Sequence, residues 1–529
     1  MMLRARVLAG ITFSALVTSF SFPPYQFGLL MLVGLVPLFV ALESAQTLRQ
    51  AAFRGWFYGF VSNVLVCNWL GSAIETFSSL PWLASQLGIV LVSILEQSSW
   101  AVFAAARFYV NKRLGMRPLF WSAAAIMALD SIWPKLFPNT MGNAFYNVSW
   151  LAQAADLTGV WGLTAVIVIS NEALALGWLW FAKGNRFGLK RIEILKHASV
   201  AVLVLVAVSS YGIYRKKQIQ AVLLRKPDKS FPVAIVQPNI NAVAQIRGQT
   251  NKELARSKVL TEMIRLTNAA LVFNPKLVVW PETAYPDTFH GESLTESILV
   301  TQTLDRYLRE NQVSLLFGAR DQVGHRRFNA FILASPDRGG SQLIRQVYHK
   351  THLLEFAEHV PFADSSPALA ETARSLGAST FSYGEGPKNL SLDGIKLGVM
   401  ICLEGLFPDF VRRTVAGGAE ILFNATNDAW FGDTREPSLH LYLTAFRSIE
   451  TRRPLVRATN TGYSTVIGID GQLRMKSKLF TEDVIFDDVP LYSGIKSPFV
   501  FWGNTLLHLS ALWMLWPWAT TWLRRRKAC

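Results

Sequence analysis

The chain has 529 residues, 51% of them apolar and only 17% charged, with a mean hydropathy of +0.26 and a formal net charge of +16. Ordinary soluble domains carry roughly 25% charged residues, so this composition excludes a disordered chain and argues against a wholly soluble one. Three cysteines, Cys67, Cys402 and Cys529, are too widely spaced for a disulfide framework or a CxxC metal knuckle.

From the N-terminus, apolar segments near spanning length run at about 7–22, 26–43, 52–71, 82–106, 118–134, 157–182 and 197–214, and an eighth at about 499–523. Trp502 and Trp522 stand near the ends of the last, where aromatic belts form. Basic residues alternate between the connecting loops. Arg4 and Arg6, then Arg49 and Arg54, then Arg107, Lys112, Arg113 and Arg117, then Lys183, Arg186, Lys190, Arg191 and Lys196 fall on one side, and only Lys135 on the other. The positive-inside rule then predicts cytoplasmic termini and an external segment over about 215–498. The net charge divides as +7 over residues 1–214, +4 in the tail Arg524–Lys527 and +5 between. It therefore follows the membrane faces, and no nucleic-acid partner is expected. The first segment has the Arg-flanked start of a signal peptide, but no small-residue cleavage site follows Phe22, so it is expected to be retained. Glu96, Asp130 and Glu172 lie inside expected spans, where a carboxylate either faces a cavity or bonds a neighbouring helix.

From about 231 the apolar runs shorten. Val233–Gln237, Leu277–Trp280, Ser314–Gly318, Leu397–Ile401 and Ile421–Ala425 read as strands, and Val259, Met263, Leu266 and Ala270 form one face of an intervening helix. Asp470-Gly471, between Val466–Ile469 and Leu473, reads as a tight hairpin turn. Alternating strands and helices predict an α/β domain. No GxGxxG fingerprint, P-loop or HExxH motif occurs.

Three signatures stand at strand ends: VVWPETAYP with Glu282, YHKTHLLEFAEHVPF with Lys350 and Glu358, and GVMICLEG with Cys402. A lone Glu or Lys is usually a solvated surface group, and a lone Cys after an apolar strand is usually an inert core residue. Together they supply a base, a cation and a nucleophile, the set that covalent acyl chemistry requires. A thiol attacks as thiolate, so a carboxylate must take its proton, and the oxyanion formed on attack calls for a cation or backbone N–H donors. His349, His352 and His359 lack the spacing of a zinc site and have no cysteine nearby, so no metal and no cofactor is expected.

These motifs, with FNATNDAWFGD at 423–433 and ETRRPLVRATNTGYSTVIGIDG at 450–471, make residues 231 to about 490 similar to the nitrilase, or carbon–nitrogen hydrolase, superfamily. With apolar segments on both sides, the whole chain resembles the bacterial apolipoprotein N-acyltransferase family. The resemblance implies an eight-span polytopic α-helical membrane bundle joined to an α/β nitrilase-like α-β-β-α sandwich. The expected division is a seven-span membrane domain at 1–214, an external catalytic domain at 215–495, and a last transmembrane helix with a basic cytoplasmic tail at 496–529. It further implies Glu282 as general base, Lys350 as oxyanion stabiliser and Cys402 as nucleophile. Glu358 matches a supporting acid and Glu404 another active-site acid, while Asn427 and Trp430 either position substrate or pack the loop.

Two departures bear on substrate fit. Leu403 stands where the family commonly has Tyr, and the loop INAVAQIRGQ after Val236–Asn239 lacks a substrate-contacting Trp. The activity implied is transfer of an acyl chain from a phospholipid, through a thioester, to the α-amine of a diacylglyceryl-modified apolipoprotein. It would take place in the bacterial inner membrane, with the catalytic domain periplasmic. A membrane-tethered amidase or nitrilase shares every triad residue, and a non-enzymatic membrane protein would not need the triad intact.

Overall fold

A computed structural model describes residues 2–25, 27–78, 81–183, 189–240, 251–289, 296–337, 339–361, 366, 368, 371 and 381–528. The chain forms two compact units, one comprising Met1–Gly71, Pro81–Gln218 and Phe501–Cys529, the other Ser72–Leu80 and Ile219–Val500.

The first unit is helical. Helices at Trp82–Arg113, Val160–Ala182 and Arg191–Leu223 are long and apolar enough to cross a membrane, and Leu48–Val66 with Leu70–Thr76 makes a fourth if this pair, bent by 60°, is one span. The apolar helices Gly28–Glu43 and Trp121–Ile132 fall short of the roughly 20 residues a straight crossing needs, whereas the first helix, Met2–Ser21, has 20. The C-terminal helix Thr505–Ala528 contains Pro517. Among the described residues, helix length and apolar composition together support three or four of the eight expected spans.

The three acidic residues placed inside spans all have protein partners. Glu172 accepts from Arg107 Nη2 at 3.0 Å and Ser122 Oγ at 2.7 Å, Asp130 pairs with Lys135, and Glu96 accepts from the Leu136 amide. Arg107 also binds Glu43 at 3.1 Å, a buried acid that the sequence pattern did not single out. Glu172 and Glu43 thus tie helices together through Arg107, while Asp130 and Glu96 hold the segment that follows helix Trp121–Ile132, and Asp130 also lines a cavity with Lys135.

The second unit is α/β and consists of two six-stranded sheets. Its strands are β1 (Lys229–Gln237), β2 (Leu277–Val279), β3 (Leu315–Val323), β4 (Arg326–Pro336), β5 (Leu343–His349), β6 (Asn389–Leu392), β7 (Ile395–Ile401), β8 (Ile421–Thr426), β9 (Leu455–Thr459), β10 (Thr465–Ile467), β11 (Leu473–Lys476) and β12 (Asp483–Leu491). One sheet has the order β12-β1-β2-β3-β4-β5 and the other β11-β10-β9-β8-β7-β6. Each centres on three parallel strands, β1-β2-β3 and β7-β8-β9, widened by antiparallel neighbours. The parallel strands are buried along most of their length, as strands covered on both faces are. Phe231 of β1 and Phe423 of β8 meet edge-on across the sheets at 6.4 Å.

Helix Lys252–Leu271 buries Val259, Met263, Leu266 and Ala270, the face that helical spacing predicts. It packs with helix Glu296–Glu310 on the first sheet. Helices Pro408–Ala416 and Glu436–Thr451 cover the second, burying Phe410 and Val411, and Leu439, Leu443 and Phe446. The hairpin at Asp470-Gly471 is longer than expected, because β10 ends at Ile467 and β11 begins at Leu473, with a register shift at Val466/Ile467. Gly471 holds φ +82° there, and a Cβ would meet Ile449 Cγ1 at 2.5 Å, so the position needs glycine on two counts.

Candidate active site

The C-terminal ends of the parallel strands β2, β7 and β8 and of the antiparallel edge strand β5 set the site, because they carry the polar residues. Glu282 follows β2 by three residues, Lys350 follows β5 directly, Cys402 follows β7 and Asn427 follows β8. The turn bearing Glu282 lies against β3 so closely that a Cβ on Gly318 would stand 2.5 Å from both Glu282 Cα and the Pro281 carbonyl oxygen. Thr283 beside it has φ +53°, and Cys402 has φ +52°. Such left-handed backbone at two non-glycine residues is strain held in place by its surroundings.

Lys350 is 1% exposed, and its Nζ lies 3.2 Å from Glu282 Oε1 and 2.8 Å from Glu358 Oε2. Antiparallel register brings Asn329 of β4 beside it, since the Lys350 amide donates to the Asn329 carbonyl at 2.8 Å. Asn329 Nδ2 then bridges the two acids, donating to Glu282 Oε1 at 2.7 Å and Glu358 Oε1 at 2.8 Å. The second oxygen of Glu282 accepts from the Asn427 amide at 2.9 Å, and that of Glu358 from the Leu354 amide at 2.8 Å. Glu282, Lys350, Glu358 and Asn427 thus converge, and Asn329 joins them although no sequence motif marked it.

Burial and mutual charge decide the protonation states. Burial drives the Cys402 thiol well above its ordinary value and the Glu282 charge adds to this, while Lys350 and Thr426 pull it down. Burial likewise raises Glu282; Lys350 opposes the rise and Glu358 reinforces it. Burial by itself would lower Lys350, but Glu282, Glu358 and Cys402 overcome that and hold it well above the usual lysine range. Cys402 therefore rests as a thiol, and a carboxylate of raised pKa stands in its field beside a cation that stays charged.

The other expected residues take different places. Glu404 is fully buried, and its carboxylate accepts from Tyr348 Oη at 2.7 Å and from the amides of Thr351, His352 and Ile401 at 2.6, 3.0 and 2.7 Å. It ties the Cys402 turn to the loop after Lys350, and burial lifts it to about 7 against those hydrogen bonds. Leu403 is buried within the short 3-10 turn Cys402–Leu406. Trp430 is half-buried in the turn Asp428–Phe431, whose cap is Asn427. The loop INAVAQIRGQ, where a Trp was sought, lies outside the described residues from 241 onward.

The three histidines do not converge. His349 binds Asp321 at 2.7 Å and stacks on Phe328, His352 stacks on Phe407 and is pushed down to about 4 by burial, and His359 faces the Phe381 carbonyl. Among the described residues the one group with metal-like convergence is Asp428, Glu436 and His440, fully buried and within 4.8 Å of one another. Asp428 is already engaged by Arg457 at 3.1 Å and by Thr426.

Two facing sheets with a carboxylate, a lysine and a thiol at their strand ends define a carbon–nitrogen hydrolase type of domain, and residues 232–495 match the family described as "Carbon-nitrogen hydrolase". Residues 14–174 match "Apolipoprotein N-acyltransferase N-terminal domain". Over 483 residues the chain is 31% identical to the apolipoprotein N-acyltransferase of Bdellovibrio bacteriovorus, covering 87% of this chain and 83% of that one. To the enzyme of the same name from Geobacter metallireducens it is 30% identical over 504 residues, covering 91% and 89%. The chain belongs to the apolipoprotein N-acyltransferase family.

Proposed function

We propose that this enzyme moves an acyl chain from a phospholipid to the α-amine of the diacylglyceryl-modified N-terminal cysteine of a lipoprotein, by way of a thioester on Cys402. Glu282 takes the thiol proton as Sγ attacks the ester carbonyl, and Lys350 Nζ with the Leu403 backbone N–H steadies the oxyanion. The C–O bond breaks, the C–S bond remains, and Glu282 returns the proton to the departing lysophospholipid oxygen. The lipoprotein amine then attacks the thioester, giving its proton to Glu282. As the C–S bond breaks and the amide forms, Cys402 leaves as thiolate and recovers that proton. Two half-reactions on one thiol make the kinetics ping-pong. Glu358 and Asn329 fix Lys350 and Glu282, and Asn427 holds the second oxygen of Glu282. Asn427 and Trp430 border the region where substrate enters.

The observation that carries this reading is the buried convergence of Glu282 and Lys350 in the field of Cys402, in a chain of this family whose other unit is built of long apolar helices. Both substrates would be lipid-anchored, which accounts for thiol chemistry joined to such helices. We place the enzyme in the bacterial inner membrane with eight spans, residues 1–214 and 496–529 in and across the bilayer, and a periplasmic catalytic domain at 215–495. Supplied with phospholipid alone, Cys402 should gain an acyl mass that neutral hydroxylamine removes, and an acceptor amine should discharge it faster than water does. Equal discharge by water would favour a membrane-tethered amidase. Acyl transfer with no adduct on Cys402 would remove the covalent route.

A further inference from the structure

The backbone of Cys402 is gripped from beneath by polar groups that the chemistry above leaves unused. Its carbonyl accepts from Asn424 Nδ2 at 3.1 Å. Asn424 Oδ1 accepts from Arg457 Nη1 at 2.7 Å, and Arg457 Nη2 donates to Asp428 Oδ2 at 3.1 Å. Thr426 Oγ1 donates to the other oxygen of Asp428 at 3.1 Å. All four residues are buried, none more than 1% exposed. His440 Nδ1 stands 3.4 Å from both Asp428 and Glu436, and its ring interacts with the Cys402 backbone.

Strand register builds this chain of contacts. Parallel pairing sets Asn424 of β8 against Arg457 of β9, while Ala425 pairs with Ile401, the residue before the nucleophile. An amide side chain can turn either its oxygen or its nitrogen toward a given neighbour. Guanidinium only donates, so Arg457 claims the oxygen of Asn424 and leaves the nitrogen for the Cys402 carbonyl. Asp428 in turn fixes Arg457 by a charge-assisted bond in a buried setting, where such bonds are strong. The residue so held is in a left-handed conformation that a non-glycine residue keeps only under constraint.

We propose that Asn424, oriented by Arg457 and Asp428, is a positioning residue for the reaction: it clamps the carbonyl of the left-handed Cys402 turn and so aims the sulfur at Glu282 and Lys350. This rests on Cys402 being the nucleophile, and the experiment separates the two ideas. In the purified full-length enzyme, the initial rate of hydroxylamine-labile adduct formation from phospholipid is measured for the wild type and for Cys402→Ser, Asn424→Ala, Asn424→Asp and Arg457→Lys. Thermal unfolding and the pH profile of Cys402 alkylation by iodoacetamide are recorded for the wild type and the Asn424 and Arg457 variants.

A thiol misplaced by about 1 Å can lose on the order of a hundredfold in rate. Asn424→Ala is expected to lose about that much in adduct formation at saturating phospholipid with KM unchanged, a loss confined to the chemical step. Its alkylation profile moves to higher pH, because the sulfur turns away from the Lys350 charge. Arg457→Lys, which keeps the charge but not the fork, falls between it and the wild type. A purely structural role would lower the unfolding temperature yet leave the rate per folded enzyme and the alkylation profile as in the wild type, and that result overturns the proposal. Should Asn424→Ala fail to fold, the isosteric Asn424→Asp answers the same question. If the wild type forms no adduct on Cys402, the nucleophile assignment falls and the clamp with it; if it forms one and the variants match it, the clamp alone falls.

Discussion

Replacing Lys350 with alanine perturbs the charge balance of the site most directly. Nζ lies 3.2 Å from one oxygen of Glu282 and 2.8 Å from one of Glu358, with 1% of the side chain exposed. At an effective dielectric of about 20, each pair at about 4 Å is worth about 4 kcal/mol, so two stranded carboxylates would cost on the order of 8 kcal/mol. They escape part of this: with the cation gone, two like charges sharing the Asn329 amide cannot both persist, and one takes up a proton. The expected loss of stability is then about 3–5 kcal/mol, the range for breaking a buried pair. Loss of the proposed oxyanion donor should also slow acylation by about a hundredfold or more, or about 2.7 kcal/mol at least. The pH dependence has a definite sign. Lys350 opposes the rise of the Glu282 pKa, so its removal lets Glu282 rise further and moves the ascending limb of the acylation rate to higher pH. The Lys350 pKa is itself raised, so its stabilisation is intact below the ordinary lysine value and is lost as pH climbs through the higher folded one. The stability gap between wild type and variant should therefore hold from neutral pH to about pH 10 and close above it. Thermal unfolding across that range and a mass-spectrometric time course of the Cys402 adduct measure both. Lys350→Arg should keep more of the stability and little of the rate, because a guanidinium does not place its donors where the ammonium does. A folded Lys350→Ala enzyme that acylates Cys402 at near-normal rate would place this lysine outside the chemistry.

Glu282→Gln should slow adduct formation because the thiol keeps its proton, and the same time course checks it. Leu403→Tyr should be tolerated and change substrate affinity more than the chemical step, since an oxyanion donor at this position would be its backbone N–H; a folded variant with no adduct would contradict this. Glu404→Gln should destabilise by about 1.5–3 kcal/mol, because one amide oxygen cannot satisfy the donors Tyr348, Thr351, His352 and Ile401. Since Glu404 is raised to about 7, its contribution is complete below the ordinary carboxyl value and fades as pH rises through about 7, so the deficit of the variant should narrow over that interval in thermal unfolding. A cysteine placed in the 183–196 loop should resist a membrane-impermeant thiol reagent in whole cells while one at position 340 reacts, and labelling of the loop would refute the eight-span arrangement.

Short apolar runs were enough to read the second unit from the sequence. A strand such as Leu277–Val279 is buried throughout, so it stands out as an uninterrupted hydrophobic stretch, and the residues following it become conspicuous. The helical unit was less legible, because apolar composition reports burial or lipid equally. Gly28–Glu43 and Trp121–Ile132 are apolar like spanning segments but shorter than one. Nor could the sequence pair Glu43 with Arg107 across 64 residues, since ion pairs between helices depend on packing and leave no local pattern.

The site divides along the same physical line. Glu282, Lys350 and Cys402 sit just past strand ends, where the chain leaves the sheet. Asn329, Asn424 and Arg457 lie within strands, and each meets its partner only through register: Asn329 beside Lys350 across an antiparallel pair, Asn424 beside Arg457 across a parallel one. A polar side chain within a buried strand is costly unless bonded, so FNAFIL, LFNAT and LVRAT each contain a residue that burial alone would disfavour. That signal was present, but it marks a need for a partner and not which partner. Only the pairing of β4 with β5 and of β8 with β9 sets the Asn329 amide against Glu282 and Glu358, and Asn424 between Arg457 and the Cys402 carbonyl.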